Sequence, residues 1–176
     1  MSLRHAVLGL LVGKPASGYD LMKLFNTSLA NVWPANQSQV YGELARLTTG
    51  GLIDVSAEGP RGRKEYALTD AGLAELRHWL TEVEPKQVRH SEALLRVFFM
   101  GVLTPEEALE SLGKLTRQAA ADHAQLLEVQ DSVDWSEEGM LTANGRIALE
   151  YGLRFFAMQE EWAKWAAQQI AATTSE

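Results

Sequence analysis

The chain has 176 residues, 46% of them hydrophobic and 22% charged, with a formal net charge of -7 and no cysteine. This composition suits one folded domain or two small ones and excludes a wholly disordered chain. The lack of cysteine excludes a disulfide framework, a thiol nucleophile and a thiolate metal site, and it fits a reducing interior.

Leu3 to Val12 is predicted to form a nearly all-apolar helix, closed by the turn Gly13-Lys14-Pro15. A leading cation and the apolar run from Ala6 to Gly13 resemble a short signal peptide, but Lys14-Pro15 interrupts the run and the apolar positions continue into a second amphipathic segment. The run is also far short of the ~20 residues of a membrane span, so neither a targeting nor a transmembrane segment is expected. Ser17 fits the N-cap of a helix from Gly18 to about Ala30, with Leu21, Leu24, Phe25 and Leu29 at helical spacing. Trp33-Pro34 ends it, because the residue before proline disfavours the α region. Asn36 and Gln39 have the spacing of an N-cap and its N3 partner for a third helix. In that helix Val40, Leu44 and Leu47 face a core, and Gly50-Gly51 is the stop signal.

The apolar period then switches from 3.6 to 2. Ile53 and Val55, then Tyr66 and Leu68, alternate with polar neighbours on either side of Gly59, Pro60 and Gly62, which predicts a β-hairpin with a loose tip. The tip carries Arg61, Arg63 and Lys64. Like charges this close repel, so either the turn is solvated or something anionic lies opposite. Thr69-Asp70 opens a further helix through Leu73, Leu76, Trp79 and Leu80. Three helices, a hairpin and a helix in this order read as a winged helix-turn-helix, with the third helix the reader of a major groove and the hairpin the wing. The wing cations would then lie where a duplex backbone or minor groove passes.

The remainder is helical. SEALLRVFFMGVL is strongly apolar, and Thr104-Pro105-Glu106-Glu107 has capping-box spacing with proline at the first helical position. The helix it starts carries Ala108, Leu112, Leu115, Ala119, Leu126, Val129 and Val133 on a heptad-like spacing, and DWSEEG breaks it. A last helix from about Ala143 to Ala171 sets Tyr151, Phe155, Met158, Trp162 and Trp165 at alternating steps of four and three. This seam is expected to pack against the preceding helix and a partner chain, the alternative being that part of it lines a pocket for a flat ligand. Residues 1–80 hold eight Lys/Arg against seven Asp/Glu, and residues 81–176 hold eight against sixteen. The acidic half should repel nucleic acid, so any such binding belongs to the first half. The expected fold is mainly α with a small β-hairpin wing. Residues 1–84 form a winged helix-turn-helix DNA-binding domain and 85–176 an α-helical dimerisation and effector domain.

AVLGLLVGKPASGYDLMKLF, VYGELARLTTGGLI and GRKEYALTDAG resemble, in order, the motifs of the PadR-like transcriptional regulators, over most of residues 3–73. The resemblance implies a cytoplasmic homodimer on a near-palindromic double-stranded operator, one winged domain per half-site. It also implies a C-terminal helical region that dimerises and senses a small, phenolic or aromatic molecule, so that the protein acts as a repressor relieved by its effector. Tyr19 of GYD and Tyr41 of VYGEL match family tyrosines that reach phosphate or pack beside the recognition helix, with half-buried core tyrosine as the alternative. Gln37, Ser38 and Gln39 fall in the first turn of the third helix, where side chains meet base edges, although capping would remove Gln39 from that role. Gly42 stands where many relatives have proline. Lys23 and Arg46 are backbone-contact candidates, or members of a solvated face. Relatives bind aromatic compounds near the junction of their domains, which points to Trp33, Arg154, Phe155 and Trp162 as effector contacts.

An enzyme is not expected. His5, His78, His90 and His123 are scattered without metal-ligand spacing, there is no P-loop or GxGxxG after a strand, and neither a metal nor another cofactor is implied. The competing hypothesis is a winged-helix interaction or dimerisation module that does not touch DNA.

Overall fold

The computed structural model describes residues 2–29, 32–59, 62–85, 91–136 and 140–173. Ala30, Pro60, Arg61, His90 and residues 137–139 of the DWSEEG break lie outside them. The chain divides into two compact units, Met1–Lys86 and Gln87–Glu176.

In the first unit, α1 (Ser2–Leu10) leads to a two-residue strand, β1 (Ala16–Ser17), and then to α2 (Gly18–Leu24), which winds on as a π-helix over Phe25–Leu29. α3 (Gln37–Thr49), β2 (Ile53–Glu58), β3 (Lys64–Leu68) and α4 (Asp70–Thr81) follow. A helix starts where a side chain accepts its orphan N–H groups. Ser17 with Asp20 and Asn36 with Gln39 form reciprocal capping boxes, and Thr69 accepts from the Gly72 N–H. α3 ends in a Schellman closure: the Leu52 N–H donates to the Leu47 carbonyl at 3.0 Å and the Gly51 N–H to that of Thr48 at 3.1 Å, with Gly51 at φ 68°.

Val7, Leu8, Leu21, Phe25, Val40, Leu44, Leu47 and Ile53 form one buried core with Leu76 of α4. The expected hairpin is present, with Ile53 opposite Leu68 and Val55 opposite Tyr66, so each pair shares a face. The register slips at Ser56, a bulge that bends the wing. The sheet nevertheless has three strands, in the order β1-β3-β2, because Ala16 pairs with Tyr66 and Ser17 with Glu65. Two residues are too few to display a period. The second helix also departs from expectation, since regular α geometry stops at Leu24 and the Trp33 N–H closes back on the Leu29 carbonyl at 2.7 Å.

Buried charge docks α3. Glu43, buried on its inner side, pairs with Arg4 of α1 at 3.6 Å and with Arg46. Next to Arg4, His5 is buried with its ring stacked on Trp79 at 4.5 Å between centroids, and its Nε2 lies 3.2 Å from Glu75 Oε1 of α4.

In the second unit, α5 (Glu92–Phe98) and a 3-10 turn over Met100–Val102 precede two long helices, α6 (Pro105–Ser132) and α7 (Met140–Thr173). Thr104 and Glu107 form the expected capping box on α6. Ala108, Leu112, Ala119 and Leu126 of α6 and Leu153, Ala163 and Ala166 of α7 are buried between the antiparallel pair. Four of the five seam residues, Tyr151, Phe155, Met158 and Trp165, are exposed instead of packed against α6 as expected, and Trp162 is half-buried. Tyr151 is 73% and Trp165 55% exposed. The intrachain contact uses a second stripe of the same spacing, through Leu149, Leu153, Phe156, Ala163 and Ile170, two residues and so about 200° round the helix from the first. Gly152, beside this stripe, allows a close approach, since a Cβ there would lie 2.7 Å from Leu126 Cδ1.

A Cβ at Gly72 would lie 2.0 Å from the Leu52 carbonyl oxygen, which also accepts the Thr69 N–H, whereas one at Gly9 meets nothing within 4 Å. Gly72→Ala should therefore lower unfolding stability by about 1–3 kcal/mol. Gly9→Ala, in a helix and free of contacts, should be neutral or stabilise by up to about 1 kcal/mol. Urea denaturation midpoints followed by far-UV circular dichroism check both.

Candidate nucleic-acid interface

The short β1–β3 pairing brings the first turn of α2 beside the wing. Tyr19 of α2, Tyr41 of α3 and Gly62, Arg63 and Lys64 of the wing line a cleft of about 290 Å³ with Ser17, Gly18 and Tyr66. Tyr19 is 72% exposed and Tyr41 42%, so neither is a core tyrosine. Gly18 makes the approach possible, since a Cβ there would stand 2.8 Å from the Tyr41 ring. Gln37 and Ser38, exposed in the first turn of α3, lie four and three residues before Tyr41 and so on the same face of that helix.

Something anionic does lie opposite the wing cations, and it belongs to the chain itself. Arg63 Nη2 donates to Asp20 Oδ2 at 2.8 Å, and Lys64 Nζ lies 3.8 Å from Glu58 Oε1. Asp20 also accepts from the Ser17 hydroxyl at 2.6 Å and from the Ser17 N–H at 3.3 Å. The Ser17 hydroxyl bond is the main reason the Asp20 carboxyl is held below its ordinary 3.8; desolvation, the next largest influence, opposes it, and the Ser17 N–H and then the Arg63 charge lower it further. Exposed pairs of this kind contribute little stability, but they set direction.

The other sequence-predicted residues are more scattered. The Gln39 side-chain oxygen accepts the Asn36 N–H at 3.0 Å, so capping occupies it. Arg46 is turned back onto Glu43, and Lys23 is exposed in the last turn of α2; neither lines the cleft. Arg61 lies outside the described residues. Trp33, 43% exposed, belongs to the first unit, and Arg154, Phe155 and Trp162 to the second. Arg154 donates from Nε to Glu150 at 2.7 Å. Sequence reading missed Asp20, Gly18 and Tyr66. The spacing Ser17-x-x-Asp20 could have exposed the first, whereas the other two depend on a contact between α2, α3 and β3 that has no local signature. Among the described residues no group of three or more His, Asp or Glu could hold a metal ion, and no helix is long and apolar enough to cross a membrane.

A helix–strand–helix–helix–hairpin–helix order, with the hairpin tip beside the third helix, defines the winged helix-turn-helix class. Residues 7–78 match the model of the Transcriptional regulator PadR-like family, and residues 90–171 match that of the Virulence activator alpha C-term. The negative transcriptional regulator PadR of Bacillus subtilis is 37% identical over 110 residues, which are 60% of this chain and 60% of that protein, so the match spans less than two thirds of its length. Crystal structures of Bacillus subtilis PadR in complex with operator DNA and with p-coumaric acid resemble the chain with TM-scores of 0.81 and 0.82, at 27% identity, over 97% of this chain and 99% of theirs. Residues 7–78 thus belong to the PadR-like family, a family of transcriptional regulators.

Because the Asp20 carboxyl is held low in the folded state, its contribution to stability is complete above 3.8 and is lost as the pH falls through its lowered value. Carboxyl carbon NMR should put its midpoint below 3.8 in the wild type. Arg63→Ala should raise that midpoint only in part, and Ser17→Ala should raise it more.

Proposed function

We propose that the chain is a dimeric, cytoplasmic repressor that binds a near-palindromic operator through its first unit, assigned to residues 1–84, and is released by a small aromatic effector acting on residues 85–176. The observation that carries this reading is the convergence of Tyr19, Tyr41 and Lys64 on one cleft beside the open first turn of α3. Gln37 and Ser38 face base edges in the major groove, while Tyr19, Tyr41, Lys64 and Arg61 of the wing meet phosphates, with Lys23 and Arg46 at the margin. The complex of Bacillus subtilis PadR with operator DNA supports this use of the fold.

Dimerisation falls to the outward stripe of α7. Tyr151, Phe155, Met158, Trp162 and Trp165 make a row of large side chains that a second copy would cover. Phe155 and Trp162 are the aromatic contacts we assign to the effector, and Arg154 would exchange Glu150 for the carboxylate of an aromatic acid, a ligand class supported by the complex of Bacillus subtilis PadR with p-coumaric acid. Release is a population shift: the effector acts only to the extent that it prefers the arrangement in which both half-sites cannot be engaged together.

Fluorescence anisotropy with DNA from upstream of the chain's own gene, against scrambled DNA at several salt concentrations, tests the central reading. Preferential binding is expected, and Lys64→Ala should reduce the slope of log K against log salt by about 0.9. Lack of binding to either DNA by a folded dimer would instead favour a winged-helix interaction module. Tyr151→Glu with Trp165→Glu should convert the dimer to monomer in sedimentation velocity, while the circular dichroism of the helices stays unchanged. Cross-linking the dimer in its DNA-bound arrangement should block release by effector, and unchanged release would exclude the population shift.

A further inference from the structure

Arg63 and Asp20 are the one pair that joins the wing tip to another element across the cleft, 43 residues apart in sequence, among the described ion pairs of the wing. The wing is already fixed beside the start of α2 near its tip, because Ser17 pairs with Glu65 on β3. Beyond that point the hairpin keeps only the Glu58–Lys64 pair and the Gly62 turn at φ 75°, and its tip is closed by a bond from the Gly59 N–H to the Arg63 carbonyl at 2.7 Å. A two-stranded tip of this kind has little to hold its angle. Arg63 supplies a second attachment, and its acceptor is rigid: Asp20 is pinned by the hydroxyl and the N–H of Ser17, a residue only 2% exposed.

We infer that Asp20 is a wing-positioning residue and that Arg63 serves DNA binding through Asp20, not by contacting a phosphate itself. This inference rests on the DNA-binding reading above. Its physical basis is charge balance. If Arg63 left Asp20 for a phosphate, the carboxylate would remain beside Tyr19 at the DNA surface, facing like charge with the Ser17 hydroxyl and N–H but no cation beside it. Kept together, the pair is neutral and aims the cleft, and phosphate neutralisation falls to Lys64 and Arg61. The two roles of Arg63 differ in sign at Asp20: a competitor for Arg63 should inhibit DNA binding, whereas a positioning partner should assist it.

The test is operator affinity against salt for Asp20→Asn, Arg63→Ala, the double variant and Lys64→Ala, all in the full chain. Asp20→Asn and Arg63→Ala should each weaken operator binding by about tenfold, the double variant no further than either alone, and the salt slope should stay at the wild-type value. Lys64→Ala should instead lower the slope by about 0.9. Tighter binding by Asp20→Asn, or a slope lowered by about 0.9 in Arg63→Ala, would overturn the inference. Failure of the wild type to bind DNA would refute the DNA reading alone. Hydrogen exchange of the Gly59 amide then decides the wing: faster exchange in both Asp20→Asn and Arg63→Ala supports positioning, and unchanged exchange rejects it. Arg63 is an exposed wing residue, so its variant keeps the measurement interpretable even if the α2 cap suffers in Asp20→Asn.

Discussion

Two backbone pairings, Ala16 with Tyr66 and Ser17 with Glu65, are the constraint on which the first unit turns. Without them the wing would be held only through Ile53, Tyr66 and Leu68 at the core, and α2 would begin at an arbitrary distance from its tip. With them, Ser17 does three jobs at once. It extends the sheet, caps α2, and holds the carboxylate that faces Arg63. The cleft between the wing and α3 follows, because Tyr19 is the second residue of the helix that Ser17 starts, and Tyr41 reaches it across a glycine. A hydroxyl that both donates to the Asp20 carboxylate and accepts from the Asp20 N–H has its needs met without water, which is consistent with its near-complete burial at the edge of an otherwise open surface.

The third helix is seated by a different kind of force. Its inner face carries Val40, Leu44 and Leu47 into the core, and among them Glu43 is buried, which is costly unless the charge is paired. Arg4 and Arg46 meet that need, and the adjoining contacts of Arg4 and His5 with Glu75, and of His5 with Trp79, carry the network on to α4. Apolar packing alone tolerates a helix sliding by a fraction of a turn. A buried ion pair does not, because a displaced charge loses its partner without regaining water. The outward face that carries Gln37, Ser38 and Tyr41 thus inherits its register from charges on the opposite side.

Much of this architecture was legible in the residues. Capping spacings at Asn36-Gln39 and Thr104-Glu107 marked helix starts, Gly50-Gly51 marked a stop, and the switch of period at Ile53 marked the sheet, because each rests on contacts within a few residues. What escaped depends on partners far along the chain. The strand at Ala16 exists only because β3 lies beside it, and the wing cations face Asp20 and Glu58, which no local pattern discloses. The α7 stripes failed for a subtler reason. Steps of four and three occur twice on that helix, and side-chain size made the aromatic row the more conspicuous, although the row through Leu153, Phe156 and Ala163 is the one turned inward.

That double stripe has a consequence for how much of the protein a cell must keep. A solitary chain would leave Tyr151, Phe155, Met158 and Trp165 in water, and such a surface invites chaperones and proteases before it invites DNA. In the dimer proposed above, a second copy would hide it. Dimers form in proportion to the square of the monomer concentration while monomers predominate, so occupancy of an operator by such a dimer would rise more steeply than abundance, and the second winged unit would add avidity. On that reading the outward row of aromatics would make the protein a counter of its own copies, discarding those that arrive singly.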